Sequence, residues 1–201
     1  VSLQQAIEML RSNNVKRPTV VLTFDDGYQD NFINLRAVVE ETGVPVTMFI
    51  SSDYITRRSE FHHDLEYGLQ GFLPLTWAEL KQMQKDGFEI GSHTRTHFDC
   101  GSRNVTELEG EIAGSKKDLQ EHLGQDIQFF SFPFGLPENI SVQAVEIASR
   151  TYPYILSAFG GENHAPADGV VRHLRRWAPP RRLWDLELQI QGALESPRTV
   201  D

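Results

Sequence analysis

Short runs of β-branched and aromatic residues alternate along this chain with longer segments that carry apolar residues at helical spacing. This alternation limits the fold more than any other feature, because strands separated by helices pair most readily in parallel. We therefore predict a parallel sheet with helices outside it, either open or closed into a barrel. The predicted strands span residues 19–24, 46–50, 88–92, 129–132, 154–158 and 170–177.

The predicted helices are bounded by ordinary start and stop signals. Thr76 followed by Glu79 is a capping-box pattern, and Gly43 and Gly124 each close a helical run. Residues 53–74 show no strong periodicity and are predicted to form a long loop with one short helix. The predicted helices span residues 2–13, 34–42, 77–86, 105–123, 138–151 and 183–194, and the longest has an apolar stripe of Leu108, Ile112, Leu119 and Leu123.

Size and charge exclude several classes of protein. A chain of 201 residues has the length of one domain, so residues 1–201 are treated as a single domain. The net charge of −9 argues against nucleic acid as a partner, because binding phosphates requires a dense basic face. No apolar run reaches the 18 or so residues of a membrane-spanning helix. Because the chain begins at Val1 rather than Met, we expect it to be an excised or processed segment.

Three polar clusters follow predicted strands, where the active sites of parallel α/β folds are found. The first is Asp25-Asp26-Gly27, the second is Ser92-His93 together with His97, and the third is Pro133-Phe134-Gly135. Their shared position at strand ends predicts that they form one site.

The first two clusters have the composition of a metal-assisted hydrolase. Adjacent carboxylates repel each other, and a bound cation would relieve this while leaving the second carboxylate free to act as a base. His93 and His97 are four residues apart, so both imidazoles could reach one ion. One carboxylate and two imidazoles leave an open position, as catalytic zinc sites do. Taken separately, the clusters could equally be a solvated turn and two unconnected surface histidines.

The sequences TFDDG at 23–27 and SHTRTH at 92–97 resemble the first two motifs of the polysaccharide deacetylase family, a family of carbohydrate esterases. The sequence SFPFG at 131–135 resembles its third motif, and the resemblance extends over roughly residues 1–195. It implies a distorted (β/α) barrel with fewer than eight strands, about six or seven. It also implies removal of N-acetyl groups from an N-acetylated polysaccharide or oligosaccharide, at the cell envelope or outside the cell.

The resemblance also implies roles for individual residues. Asp25 would be the catalytic base, whereas Asp26, His93 and His97 would bind a divalent metal. Zinc is the expected ion, with cobalt and nickel as alternatives, because a ligand set alone rarely determines the metal. The third motif would contribute to substrate binding, with a backbone N–H that stabilises the oxyanion; its residues are Pro133, Phe134 and Gly135.

Two departures from the family pattern leave parts of the site open. Many members have an arginine where this chain has Ser131, and the resemblance of a late segment suggests Arg176 as its replacement. A surface arginine cluster is the alternative interpretation. The histidine that often acts as the family's general acid has no match: His164 and His173 are the nearest candidates by position in the chain, whereas His62 and His63 lie in the long loop and could contact substrate. The alternative for all four is an exposed non-catalytic histidine, with a metal-bound water or the protonated Asp25 as the proton donor.

Two rival functions remain open at this stage. One is an O-acetyl esterase, or an amidase for a small substrate, built on the same scaffold. The other is a non-catalytic domain that binds glycans.

Overall fold

A computed structural model describes residues 1–180 and 182–191 of the chain. Six parallel strands lie in the order in which they occur in the sequence and curl into a half-barrel with the helices around it. This confirms the predicted class, a distorted (β/α) barrel with fewer than eight strands. The strands are β1 (Leu22–Phe24), β2 (Val46–Ile50), β3 (Glu89–Ser92), β4 (Phe129–Ser131), β5 (Tyr154–Ser157) and β6 (His173–Arg175).

The α-helices of the described residues connect or flank these strands. A π-helical turn, Asn31–Leu35, precedes the second helix, and a short 3₁₀ turn, Pro137–Asn139, precedes the seventh. None of the helices described is long and apolar enough to cross a membrane. They are α1 (Leu3–Arg11), α2 (Arg36–Thr42), α3 (Ser52–Arg57), α4 (His62–Glu66), α5 (Trp77–Lys85), α6 (Val105–Leu123), α7 (Val142–Thr151) and α8 (Leu183–Ile190).

Two of the sequence predictions are wrong in detail. The first strand was expected to be buried, yet Leu22 is 43% exposed, because the sheet stays open and β1 lies at its edge. Residues 53–74 were expected to hold one short helix, but α4 lies wholly within them and α3 reaches into them. Residues 192–194 of the last predicted helix lie outside the described residues.

The core lies on both faces of the sheet, because neighbouring side chains of a strand point in opposite directions. In the fully buried β2, Met48 and Ile50 face the outer helices, whereas Phe49 joins a second cluster beneath α1. The Glu89 carboxylate at the start of β3 accepts hydrogen bonds from the backbone N–H groups of Leu3 and Gln4, at 2.8 and 3.1 Å. This contact fixes α1 near the amino ends of the strands and leaves their carboxyl ends open.

We expect Gly91→Ala to destabilise the fold, because β3 has no room for a side chain there. A Cβ atom at Gly91 would lie 2.6 Å from the ring of Phe49 and 3.1 Å from the Cβ of Phe129. Overpacking of this kind costs about 1–3 kcal/mol. The matched control is Gly110→Ala on α6, where a Cβ atom would meet nothing within 4 Å. This substitution should stabilise the helix by about 0.5–1 kcal/mol, because alanine has a higher helix propensity than glycine. Urea unfolding measures both, and an unchanged unfolding free energy for Gly91→Ala would contradict the packing described.

Candidate metal centre

The polar residues at the strand ends meet because their strands are neighbours in the sheet. Asp25 and Asp26 follow β1, and His93 follows β3. The end of β2 joins the two segments: the carbonyl of Ile50 accepts from the N–H of His93 at 2.9 Å, and the carbonyl of Asp26 accepts from the N–H of Ser51 at 3.2 Å. The side chains of Asp26 and His93 therefore approach each other over the end of β2.

Asp26, His93 and His97 form a group that could hold a metal ion. One potential ligand atom from each residue lies within 4.8 Å of the others. Oδ1 of Asp26 is 3.6 Å from Nε2 of His93 and 3.3 Å from Nε2 of His97. The three side chains are 14%, 1% and 8% exposed, respectively, so little water competes for them.

The tautomer of His93 suits a metal ligand. Its Nδ1 lies 2.8 Å from the carbonyl oxygen of Ser131, and a carbonyl can only accept, so Nδ1 carries the hydrogen. In a neutral ring, Nε2 then has a free lone pair on the side that faces Asp26. Burial lowers the pKa of His93, and burial with the neighbouring imidazoles lowers the pKa of His97 to about 2. Both rings are therefore neutral, which is the form that binds metals.

The surroundings of Asp26 fit a cation better than they fit a bare carboxylate. Burial, together with the negative charges of Asp25 and Asp64, raises the pKa of Asp26 to about 8. Oδ1 of Asp26 is buried and has no hydrogen-bond partner among the described residues. An unpartnered buried carboxylate is costly, and a divalent ion between Asp26 and the two imidazoles would supply the missing opposite charge.

Asp25 is held by Arg176, which follows β6 at the same edge of the sheet. The guanidinium donates two parallel hydrogen bonds, from Nη1 to Oδ1 at 2.7 Å and from Nη2 to Oδ2 at 2.9 Å. It also donates to the hydroxyls of Thr23, at 3.0 Å, and of Ser131. The small side chain at position 131 therefore contacts an arginine that comes from another strand end, 45 residues further along the chain.

The charges around Asp25 keep it ionised. Burial raises the pKa of Asp25, but the charge and the hydrogen bonds of the Arg176 guanidinium oppose this effect, and the pKa falls to about 2. The side chain is still 34% exposed, so water and substrate can reach it. Asp25 is thus a fixed, accessible carboxylate beside the group that could bind a cation.

We expect Arg176→Met to raise the pKa of Asp25, because it removes the nearest positive charge. An opposite charge at this range lowers a carboxyl pKa by about one to three units, so its loss should move the acidic limb of the pH–kcat/KM profile upward by a similar amount. The control is Arg172→Met, at an exposed arginine beside β6. If the limb stays in place in Arg176→Met while activity falls, Arg176 does not act through the charge of Asp25.

The third cluster contributes one exposed ring and a tight turn. Phe134 is 50% exposed, and its ring lies edge-on to that of His97 with centroids 4.7 Å apart. Phe134 and Gly135 both have positive φ, and a Cβ at Gly135 would lie 2.7 Å from the backbone nitrogen of Ala158. Pro133 and Gly135 are buried and shape the turn, whereas Phe134 borders the open side of the centre.

A third imidazole, His63, also lies at the centre. Its Nε2 is 3.7 Å from Oδ2 of Asp26, and its ring centroid is 4.4 Å from that of His97. The hydroxyl of Tyr28 donates to Asp64 at 2.7 Å, and therefore accepts from Nε2 of His63 at 3.0 Å. Sequence reasoning missed Tyr28 and Asp64 and did not separate His63 from His62. Tyr28 follows the Asp25-Asp26-Gly27 motif directly, whereas His63 and Asp64 lie in the irregular segment 53–74. The N–H of Leu75, just after that segment, donates to the carbonyl of Gly27 and so brings the two parts of the chain together.

The other histidines considered from the sequence have different surroundings. His62 is 76% exposed and lies 3.2 Å from Glu66. His164 is 81% exposed and lies near Glu162. His173 bonds to the hydroxyl of Ser157 at 2.7 Å. None of these contacts involves the group formed by Asp26, His93 and His97.

Comparisons with known proteins agree with the motifs. Residues 12–153 match the family model described as polysaccharide deacetylase. The chain is 29% identical over 134 residues to YxkH of Bacillus subtilis (strain 168), which is named among the polysaccharide deacetylases; this covers 65% of the chain and 43% of YxkH. The chain therefore spans less than half the length of that relative.

Two solved structures show the same fold. The Streptococcus pyogenes deacetylase PplD, in complex with acetate, superposes with a TM-score of 0.76 at 22% identity, covering 94% of this chain and 78% of PplD. A de-N-acetylase from Aggregatibacter actinomycetemcomitans superposes with a TM-score of 0.72 at 17% identity, covering 94% of this chain and 82% of that one. At these identities the two likenesses establish the fold alone.

Proposed function

The chain belongs to the polysaccharide deacetylase family, and we propose that it is a metal-dependent hydrolase that removes N-acetyl groups from hexosamine units of a polysaccharide and releases acetate. The observation that carries this proposal is the pairing of two different carboxylates. Asp26 lies with two neutral imidazoles and has a buried oxygen without a hydrogen-bond partner among the described residues, whereas Asp25 is ionised and oriented by Arg176. A site built only to bind glycans would have no use for the second carboxylate.

The proposal assigns a separate task to each side chain. Asp26, His93 and His97 would hold the divalent ion, expected to be zinc with cobalt and nickel as alternatives, which would supply a Lewis acid for the acetyl carbonyl. Asp25 would take the proton from the attacking water. The two hydrogen bonds from Arg176 keep the carboxylate from rotating, so that it faces the centre.

The departing amine must receive a proton when the C–N bond breaks. Asp25 would carry one at that stage, because it would have accepted the proton of the attacking water. Its low pKa makes the protonated carboxyl a strong acid that gives up the proton readily. The backbone N–H of Phe134 would donate to the developing oxyanion, and such donors contribute about 3–4 kcal/mol in comparable sites.

The natural substrate is proposed as an N-acetylated polymer at the cell envelope or outside the cell, with residues 1–201 acting as one deacetylase domain. The open carboxyl ends of the strands suit an extended glycan, and Phe134 offers an exposed ring on which a sugar could pack.

A substrate panel tests this function against its rivals. Acetate release should be measured side by side from chitooligosaccharides, peptidoglycan fragments and acetylxylan. We expect release from at least one of the N-acetylated substrates to exceed that from acetylxylan. Preferential release from acetylxylan would favour an O-acetyl esterase instead. Glycan binding without any acetate release would favour the non-catalytic alternative.

A further inference from the structure

The longest helix, α6, presents polar side chains to the segment that carries both histidines of the centre. Glu111, Ser115 and Asp118 are spaced by four and three residues, which places them on one face of the helix. This face borders the apolar stripe that packs α6 into the core, and Ser115 is buried between Ile112 and Leu119 of that stripe. We call these three residues the polar stripe of α6.

Glu111 accepts three hydrogen bonds from the segment between His93 and His97. Its Oε2 accepts hydrogen bonds from the backbone N–H groups of Arg95 and Thr96, both at 2.9 Å. Its Oε1 accepts from the hydroxyl of Thr96, also at 2.9 Å. One carboxylate therefore binds the middle of the turn between His93 and His97 through three hydrogen bonds.

The other two members contact residues 95 and 92 of the same segment. The guanidinium of Arg95 donates two bonds of 2.8 Å to Asp118, and it passes over Gly114, where a Cβ would lie 3.1 Å from it. The hydroxyl of Ser92, the residue before His93, donates to that of Ser115 at 2.8 Å. The polar stripe thus contacts the segment at residues 92, 95 and 96.

This segment needs to be held, because its backbone is strained. Thr94 and His97 have φ values of 63° and 55°, in the left-handed region that side-chain-bearing residues seldom occupy. Such conformations persist only where the surroundings impose them. The N–H groups that Glu111 binds lie between these two residues, so their hydrogen bonds oppose relaxation of the turn and keep His97 directed at Asp26.

We propose that Glu111 is a positioning residue of the metal centre, and that its carboxylate sets the cation affinity by holding the 94–97 turn. The proposal rests on the metal centre proposed above. Outer groups that orient metal ligands typically change metal affinity by about 10- to 100-fold when they are removed. We therefore expect the zinc Kd to rise about 10-fold or more in Glu111→Ala and by less in Glu111→Gln, which keeps one acceptor oxygen.

Chelator competition on the folded proteins measures the zinc Kd, and the visible spectrum of the cobalt-loaded proteins reports the ligand geometry. The matched control is Glu121→Gln, an exposed glutamate near the end of the same helix. It should leave both readouts unchanged. Urea unfolding of the metal-free proteins separates a general loss of stability from a specific loss of affinity.

Three outcomes are informative. A raised zinc Kd with an altered cobalt spectrum supports the proposal. Zinc Kd values within two-fold of wild type in both Glu111 variants, with or without lower stability, would overturn it and leave the metal centre intact. Failure of the wild-type protein to bind zinc, cobalt or nickel would instead refute the metal centre itself, and with it this role of Glu111.

Discussion

Asp25→Asn should lower kcat by about 10³-fold while zinc binding persists. The amide has nearly the shape of the carboxylate but cannot accept a proton from water, and general base catalysis contributes about 10²- to 10⁴-fold. The amide also loses one of the two bonds from Arg176, because its nitrogen cannot accept a hydrogen bond. Both effects slow the attack of water. The metal ligands Asp26, His93 and His97 are expected to keep their positions.

Acetate release under saturating substrate measures this effect, and metal content after dialysis shows that the ion is retained. Asp30→Asn is the matched control, because it makes the same carboxylate-to-amide change at an exposed position near the site. Near-wild-type kcat in Asp25→Asn would show that another group is the base. Loss of the metal in the same variant would show that Asp25 is a ligand as well.

His97→Ala should remove the metal, and activity with it. The substitution takes away one of three protein ligands, so the zinc Kd should rise more than the 10- to 100-fold typical of losing an outer-shell partner. His97 is a better site for this test than His93, whose ring bonds to the carbonyl of Ser131 in the interior, so that its loss would disturb β4 as well.

Chelator competition gives the zinc Kd, and acetate release should fall to background at stoichiometric zinc. The control is His62→Ala, which removes an imidazole that is 76% exposed. A His97→Ala protein that binds zinc as tightly as the wild type would exclude His97 from the ligand set.

Much of the architecture could be predicted, because its signals are local. Helix α6 is bounded by an Asn104 cap and by Gly124 in the left-handed conformation, and its predicted span matches the structure. Strand β2 is apolar except for Thr47, pairs on both sides and is fully buried. The burial of β1 could not be predicted, because whether a parallel sheet closes depends on contacts that no single segment encodes.

The centre was only partly predictable, for a similar reason. Asp26, His93 and His97 belong to recognisable motifs at strand ends, and the structure places their ligand atoms together. Glu111 contacts Thr96, 15 residues before it, and His63 lies beside Asp26, 37 residues before it. Each pair is separated by loop residues whose sequence shows no periodicity. Arg176 lies 151 residues from Asp25 and was suggested only by resemblance to the family.

The proposed function requires that acetate release depend on a metal bound by Asp26, His93 and His97. The direct measurement is acetate release from an N-acetylglucosamine oligomer by the same protein before chelation, after chelation, and after zinc, cobalt or nickel is restored. We predict that release stops in the metal-free protein and returns with at least one of these ions. Unchanged acetate release by protein verified to be metal-free would contradict the proposed metal dependence.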